Sequence, residues 1–250
     1  MIKGILLTLA LIVSVIAGAV IFTPLEYVLK QAGLERTGAG WANVEGNILE
    51  GRISGFYLQN QPVGDVRLKL KPRSLLSGQA AYEISWSGAG GRGSGLAAIS
   101  SKAITLSNIR GQHMVQAIEG LAPQVRAIGG EIRLADGSAT LTRQGCEDAG
   151  GTLSTDTLSR AATQYGKTFG DLSGPVSCLE GAFVVNLEGR AQNGDRVTIA
   201  ASASPLGQSS FAATVTTNDS DLLFVLPRIG FVRSGNDWQY INNSDGRGAP

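Results

Sequence analysis

Val66-Arg67-Leu68-Lys69-Leu70-Lys71 sets aliphatic residues against bases in strict alternation. Successive side chains of a strand point to opposite faces. Val66, Leu68 and Leu70 therefore share a face to be buried, and Arg67, Lys69 and Lys71 share one left in water. The same period of two recurs from Val44 onward, in the short runs 82–86, 104–109, 131–134, 139–142, 183–187, 196–201, 211–216 and 222–226. Gly, Asn, Asp or Ser separates most of them, the pattern of strands joined by hairpins. Two stretches depart from it. Residues 113–121 place Met114, Val115, Ile118 and Leu121 at helical spacing, and residues 155–165 do the same with Leu158, Ala161, Ala162 and Tyr165 behind a capping Thr155 or Asp156.

The expected fold is mainly β. It has an N-terminal transmembrane helix followed by one twisted, curved, largely antiparallel sheet domain with two short helices. Residues 1–25 read as a cytoplasmic stub and signal-anchor helix, 26–40 as a linker, 41–241 as a periplasmic β domain and 242–250 as a polar tail. Residues 26–36 are able to extend the anchor helix before the break at Gly38-Ala39-Gly40.

The anchor is read from residues 4–25, where no side chain ionises and the length suits a hydrocarbon core of about 30 Å. Lys3 precedes the run and nothing charged follows until Glu26. The positive-inside bias then keeps the N-terminus cytoplasmic and exports the rest. Ala17-Gly18-Ala19 resembles a peptidase site, so a signal peptide cut after Ala19 is the rival reading. The apolar stretch continues through Val20, Ile21 and Phe22 beyond that point, which favours the uncleaved anchor. An outer-membrane barrel is disfavoured because aromatics are 6% of the chain, too few for two interfacial girdles.

Composition narrows the chemistry. Of 250 residues, 21 are basic and 20 acidic, and setting Lys3 aside leaves the charges balanced. Such a chain has no global field for nucleic acid, so no nucleic-acid partner is expected. Cys146 and Cys178 are the two cysteines. In an oxidising compartment an even number suits a disulfide, with two buried thiols as the alternative. The spacing is not CxxC and His113 is the single histidine, so no metal set is expected.

Other motifs read as structural. Gly88-Ala-Gly90-Gly-Arg-Gly93 matches GxGxxG, but strand-like sequence follows it where a dinucleotide site needs a helix. A hairpin loop is expected there, and no cofactor. His113 would have to serve any Ser-His-Asp or Cys-His set, and a surface or capping role is expected instead. Glu45 with Glu50, and Glu147 with Asp148, read as solvated turns rather than opposed catalytic carboxylates. The Asn-x-Ser sequons at Asn218 and Asn242 matter only in a eukaryotic secretory pathway. No enzyme is expected. The basic residues Arg67, Lys69, Lys71 and Arg73 could dock an acidic partner or lipid headgroups, or form the wet face of a strand.

Several segments together resemble the type II secretion system protein N family. Val44-Glu45-Gly46-Asn47-Ile48-Leu49-Glu50-Gly51-Arg52 is similar to its opening V-x-G-x-[VI]-W-x-G-R strand, with Leu49 in the tryptophan position. The segment from Leu68 to Gly78, with Pro72, Leu75 and Leu76, resembles its W-x-L-x-P-x-[SA]-L-L-x-G stretch. Gly130 to Leu134, the cysteine pair with its flanking glycines, and Phe231 to Tyr240 resemble later family segments. The resemblance implies a bitopic inner-membrane protein of a Gram-negative bacterium, non-enzymatic, accompanying the machinery that moves folded proteins across the outer membrane. Other secretion subunits and inner-membrane lipid are the partners it implies, and Cys146–Cys178 a structural disulfide. The alternative class is a periplasmic module resembling the AsmA-like bridge proteins, in which a greasy sheet face shelters lipid acyl chains. An envelope hydrolase built on His113 or an acidic pair is the third class.

Overall fold

A computed structural model describes residues 22–31, 38–58, 61–100, 102–118, 121, 123–164, 166–204 and 208–244. Helix α1 (Leu25–Gln31) precedes β1 (Ala39–Gly40), β2 (Asn43–Gly46), β3 (Glu50–Leu58) and β4 (Gln61–Leu70). A 3-10 turn at Pro72–Ser77 leads to β5 (Ala80–Gly88), β6 (Gly91–Ile99) and β7 (Ile104–Met114). After a second 3-10 turn at Val115–Ala117 come α2 (Pro123–Ile128), β8 (Glu131–Thr142), β9 (Gly145–Thr155) and α3 (Thr157–Gln164). Strands β10 (Leu172–Leu179), β11 (Ala182–Arg190), β12 (Arg196–Ala203) and β13 (Ser209–Thr216) follow. Helix α4 (Ser220–Val225) and the hairpin β14 (Val232–Ser234) and β15 (Asp237–Ser244) complete the described chain.

All fifteen strands form one open sheet. From β3 to β13 each strand pairs antiparallel with its neighbours in sequence. β15 then pairs with β13, and β14 lies outside it, while β1 and β2 share the opposite edge along β3. The expectation of a mainly β, antiparallel domain is met.

Short connections make this order possible. At the β5–β6 hairpin the turn residues Ala89 and Gly90 have φ of 49° and 84°. Positive φ at both central residues suits the right-handed strand twist. The GxGxxG stretch is thus a tight turn and the first residues of β6.

Four expectations are corrected. Residues 113–121 are not one helix: β7 runs through His113, which pairs with Gly91 on one side and Ile132 on the other. Ladders on both sides outweigh a short helical spacing. The run 222–226 falls in α4 and at the start of the 3-10 turn that follows it (Leu226–Ile229), not in a strand, because the Asp219 carboxylate accepts from the N–H groups of Asp221 and Leu222 and caps a helix. The runs 131–134 and 139–142 are one strand, β8, with a bulge at Asp136 (φ 51°) and Gly137 that resembles a turn in sequence. The described chain holds four short α-helices rather than two.

The margins also differ. Helix α1 from residue 26 onward and Ala39–Gly40 belong to the folded unit although they fall in the expected linker, Leu25 falls in the expected anchor, and β15 extends to Ser244, into the expected tail. Among the described residues no helix is long and apolar enough to cross a membrane. The anchor expected at 1–25 lies outside the described residues up to residue 21.

Two clusters make the core, both on the same side of the sheet. Leu25 and Leu29 of α1 pack with Ile53 and Val66, flanked by Val44, Leu68, Ile84 and Trp86. At the other end Leu172, Leu187, Val197, Val215 and Leu226 are buried, with Leu158 of α3 and Phe169 against them.

Candidate functional site

The strand register sorts the side chains into two continuous faces. One row of directly opposed residues runs Val44, Ile53, Val66, Trp86, Gly93, Gly111, Leu134, Leu153 and Gly174, from β2 to β10 without a polar member. A second row, on the other face, runs Asp65, Ser87, Arg92, Gln112, Arg133, Ser154, Ser173, Glu188, Thr198, Thr214 and Gln239, from β4 to β15 without an apolar one. Directly opposed residues share a face, so the sheet is amphipathic across its width.

Large side chains fill the glycine positions of the apolar face. A Cβ on Gly93 would collide with Cζ2 of Trp86, and one on Gly111 would lie 3.0 Å from the same atom. The indole thus lies over two neighbouring strands. Ile109 in the same way occupies the space above Gly95 and lies 3.1 Å from a Cβ placed on Gly137, while Leu172 Cδ2 lies 2.9 Å from one on Gly189. Gly93, Gly95, Gly111, Gly137 and Gly189 are sockets for side chains of nearby strands.

The expected surface residues are distributed, not clustered. Arg67 lies directly opposite Arg52 and Ser85, and Lys69 opposite Glu50 and Glu83, all on the polar face. Lys71 pairs with Glu83 at 3.0 Å, and Arg73 sits in the 3-10 turn after β4. Arg52 pairs with Asp65, whose carboxyl is held below the ordinary range chiefly by that guanidinium and then by the Gly55 N–H. Arg67 and Lys69 are the two of the four cations that stand within the strand ladder.

Cys146 and Cys178 form a disulfide, with Cα atoms 5.6 Å apart. Strands β9 and β10 pair from Thr155↔Leu172 to Thr152↔Pro175, and next at the bridge Cys146↔Gly181. The disulfide spans the interval between, where the ladder is interrupted, and α3 lies within the loop it closes.

Among the described residues, the catalytic candidates weighed from sequence do not come together. His113 lies on the apolar face with Nδ1 where a Gly91 Cβ would be, and its Nε2 has no partner among the described residues. Burial lowers its pKa. Glu45 accepts from the Asn43 amide, Glu50 starts β3, and Glu147 and Asp148 are exposed on β9. Among the described residues no group of three or more His, Cys, Asp or Glu is placed to hold a metal. An open depression of about 390 Å³ between the β11–β12 turn and the β13–α4 loop is lined by Asn193, Asp195, Thr217 and Asp219. Lys167 ties the loop after α3 to Asp219, the α4 cap.

Sequence reading missed the exposed apolar groups outside the strands. Phe22 and Tyr27 project from the α1 region, and Leu223, Phe224 and Val225 from α4, with Arg228 stacked 3.7 Å over the Phe224 ring. Their sequence signal was absorbed into the anchor and into a supposed strand.

A family model described as "Type II secretion system (T2SS), protein N" matches residues 37–238. The chain belongs to that family. As a protein N it is a component of the type II secretion system, as the sequence resemblance implied. The matched interval opens two residues before β1 and closes in β15, so what defines a protein N here is the sheet. Neither α1 nor the apolar run before it is included. No curated protein and no solved structure matches the chain.

Proposed function

We propose that this protein N is an accessory inner-membrane component that supports export of folded proteins across the outer membrane, and that it acts as a scaffold. In this reading the uncharged run 4–25 anchors the chain with its N-terminus in the cytoplasm, and the sheet stands in the periplasm. The polar face meets partner subunits, with Arg67 and Lys69 offered to an acidic surface. The outer edge of β15 from Tyr240 to Ser244, beyond the three residues of β14, is open to strand addition among the described residues. Family membership over residues 37–238, nearly all of the sheet, is the observation that carries the proposal.

No observation favours the lipid-handling alternative. The glycine-lined face that would shelter acyl chains is occupied by Trp86, Ile109 and Leu172 from the chain itself. Deleting the gene in a strain with the system active should deplete the secreted proteome of its substrates, and plasmid-borne protein should restore them. An unchanged secretome would overturn the secretion role. In-cell crosslinking from the polar face should capture other secretion subunits; capture of lipid-transport proteins alone would favour the alternative.

A further inference from the structure

Towards its N-terminus the chain leaves the sheet without slack. Leu25 and Leu29, four residues apart on one side of α1, are 5% and 8% exposed in the cluster with Ile53 and Val66. Leu25 Cδ2 takes the place that a Cβ on Gly51 would fill, so the helix sits directly on the β3 backbone. One residue earlier, Pro24 bridges to Asn47 in the turn between β2 and β3. The chain is therefore held to the sheet at Pro24, Leu25 and Leu29. The uncharged run extends to Leu25, inside that bound element. As a helix, residues 4–22 would measure about 28 Å, the thickness of a hydrocarbon core.

The outward side of α1, together with the residue just ahead of it, has the chemistry of a membrane interface. Phe22, which precedes α1 beyond the bend at Thr23 and the bridge at Pro24, is 83% exposed, and Tyr27 on α1 is 60% exposed. Tyr27 lies two residues beyond Leu25, about 200° around the helix axis and so away from the sheet. Beside it Glu26 and Lys30 pair at 2.6 Å and cancel one another's charge. In the headgroup layer an aromatic body meets the acyl boundary while a phenol hydroxyl stays hydrated.

We propose that Phe22 and Tyr27 seat α1 in the phospholipid headgroup layer, which holds the β2–β3 end of the sheet against the bilayer with no intervening linker. This rests on the reading of residues 4–25 as an anchor. The test uses the full-length chain, disulfide intact, in vesicles of phosphatidylethanolamine and phosphatidylglycerol. Single nitroxide labels at Ser14→Cys, Tyr27→Cys and Ser210→Cys report collisions with oxygen and with a water-soluble nickel chelate. The label at 14 should read hydrocarbon, that at 27 the headgroup layer, and that at 210 bulk water. Accessibility to nickel at 27 should be about tenfold below that at 210. A label at 27 as accessible as that at 210, with 14 in hydrocarbon, overturns the interface contact and leaves the anchor standing. If the label at 14 is also water-accessible, or residues before 20 are missing by mass, the anchor reading fails and takes the contact with it.

Discussion

The indole of Trp86 occupies the space above Gly93, so that a single methyl group on the glycine would fall within its Cζ2 atom. The two residues are directly opposed on β5 and β6, and Gly111 on β7 lies under the same ring. An aromatic laid along the backbones of neighbouring strands supplies the packing that glycines without side chains leave open.

Gly93→Ala should therefore cost about 1–3 kcal/mol through overpacking, and Gly111→Ala less, since its added carbon would sit 3.0 Å from the ring. Trp86→Ala should cost about 3 kcal/mol by uncovering both glycines. The double variant Trp86→Ala/Gly93→Ala should cost less than the sum, because the alanine meets no indole. Denaturant unfolding of the four proteins measures the coupling, and strict additivity would show that the ring does not rest on Gly93.

Removing the disulfide should destabilise the chain by roughly 3–4 kcal/mol on loop-closure grounds. The effect should be local as well. In Cys146→Ala/Cys178→Ala, amide exchange should quicken most in residues 147–151, where β9 has no ladder partner on the β10 side, and in α3 within the closed loop. Uniform quickening across the sheet would mean that the bond acts on the unfolded chain alone.

His113 gives stability a pH dependence whose sign is fixed by burial. Its folded pKa lies below the ordinary 6.5, so near that pH the unfolded chain binds the proton more readily. Stability is then full above about pH 7 and falls as pH drops through 6.5 toward the folded value. Asp65, Asp156 and Asp219 are also shifted down, but their contribution is lost only at more acid pH, below the ordinary carboxylate value of 3.8. His113→Leu should flatten the slope of the unfolding midpoint between pH 7.5 and 5.5, values chosen about the ordinary imidazole pKa. The same variant should secrete normally, since the His113 Nε2 has no hydrogen-bond partner among the described residues.

Arg67→Gln/Lys69→Gln removes two of the ladder cations from the polar face. Stability should change by less than about 0.5 kcal/mol, as for exposed substitutions. Crosslinking to secretion subunits from the neighbouring Ser85 position should fall if this face docks. Unchanged capture would reduce the two cations to the wet side of a strand.

How far the sequence could be read depended on where a period had room to show. Val66 to Lys71 alternates cleanly because β4 is buried on one face and solvated on the other. By contrast β9 carries Cys-Glu-Asp-Ala-Gly-Gly-Thr, with little β propensity, and holds its place through β8 and the disulfide. Asp136-Gly137 has the composition of a hairpin turn and serves as a bulge, which only the ladder on each side distinguishes. Leu222 to Leu226 is too short to reveal a helix, and the deciding group is the carboxylate of Asp219 outside it. The two faces follow from alternation, but the filling of glycines by Trp86 and Ile109 depends on cross-strand register, which alternation does not contain.

From β3 to β13, neighbours in the sheet are neighbours in the chain. No strand must wait for a distant partner, so pairing can advance hairpin by hairpin as residues emerge in order from the N-terminus, with small loop-closure entropy at each step. The exception comes at the very end, where β15 reaches past β14 to join β13. A chain truncated before residue 237 would present β13 as a bare, full-length growing edge, and the final hairpin shortens that edge to the part of β15 that β14 leaves uncovered, which limits end-to-end polymerisation.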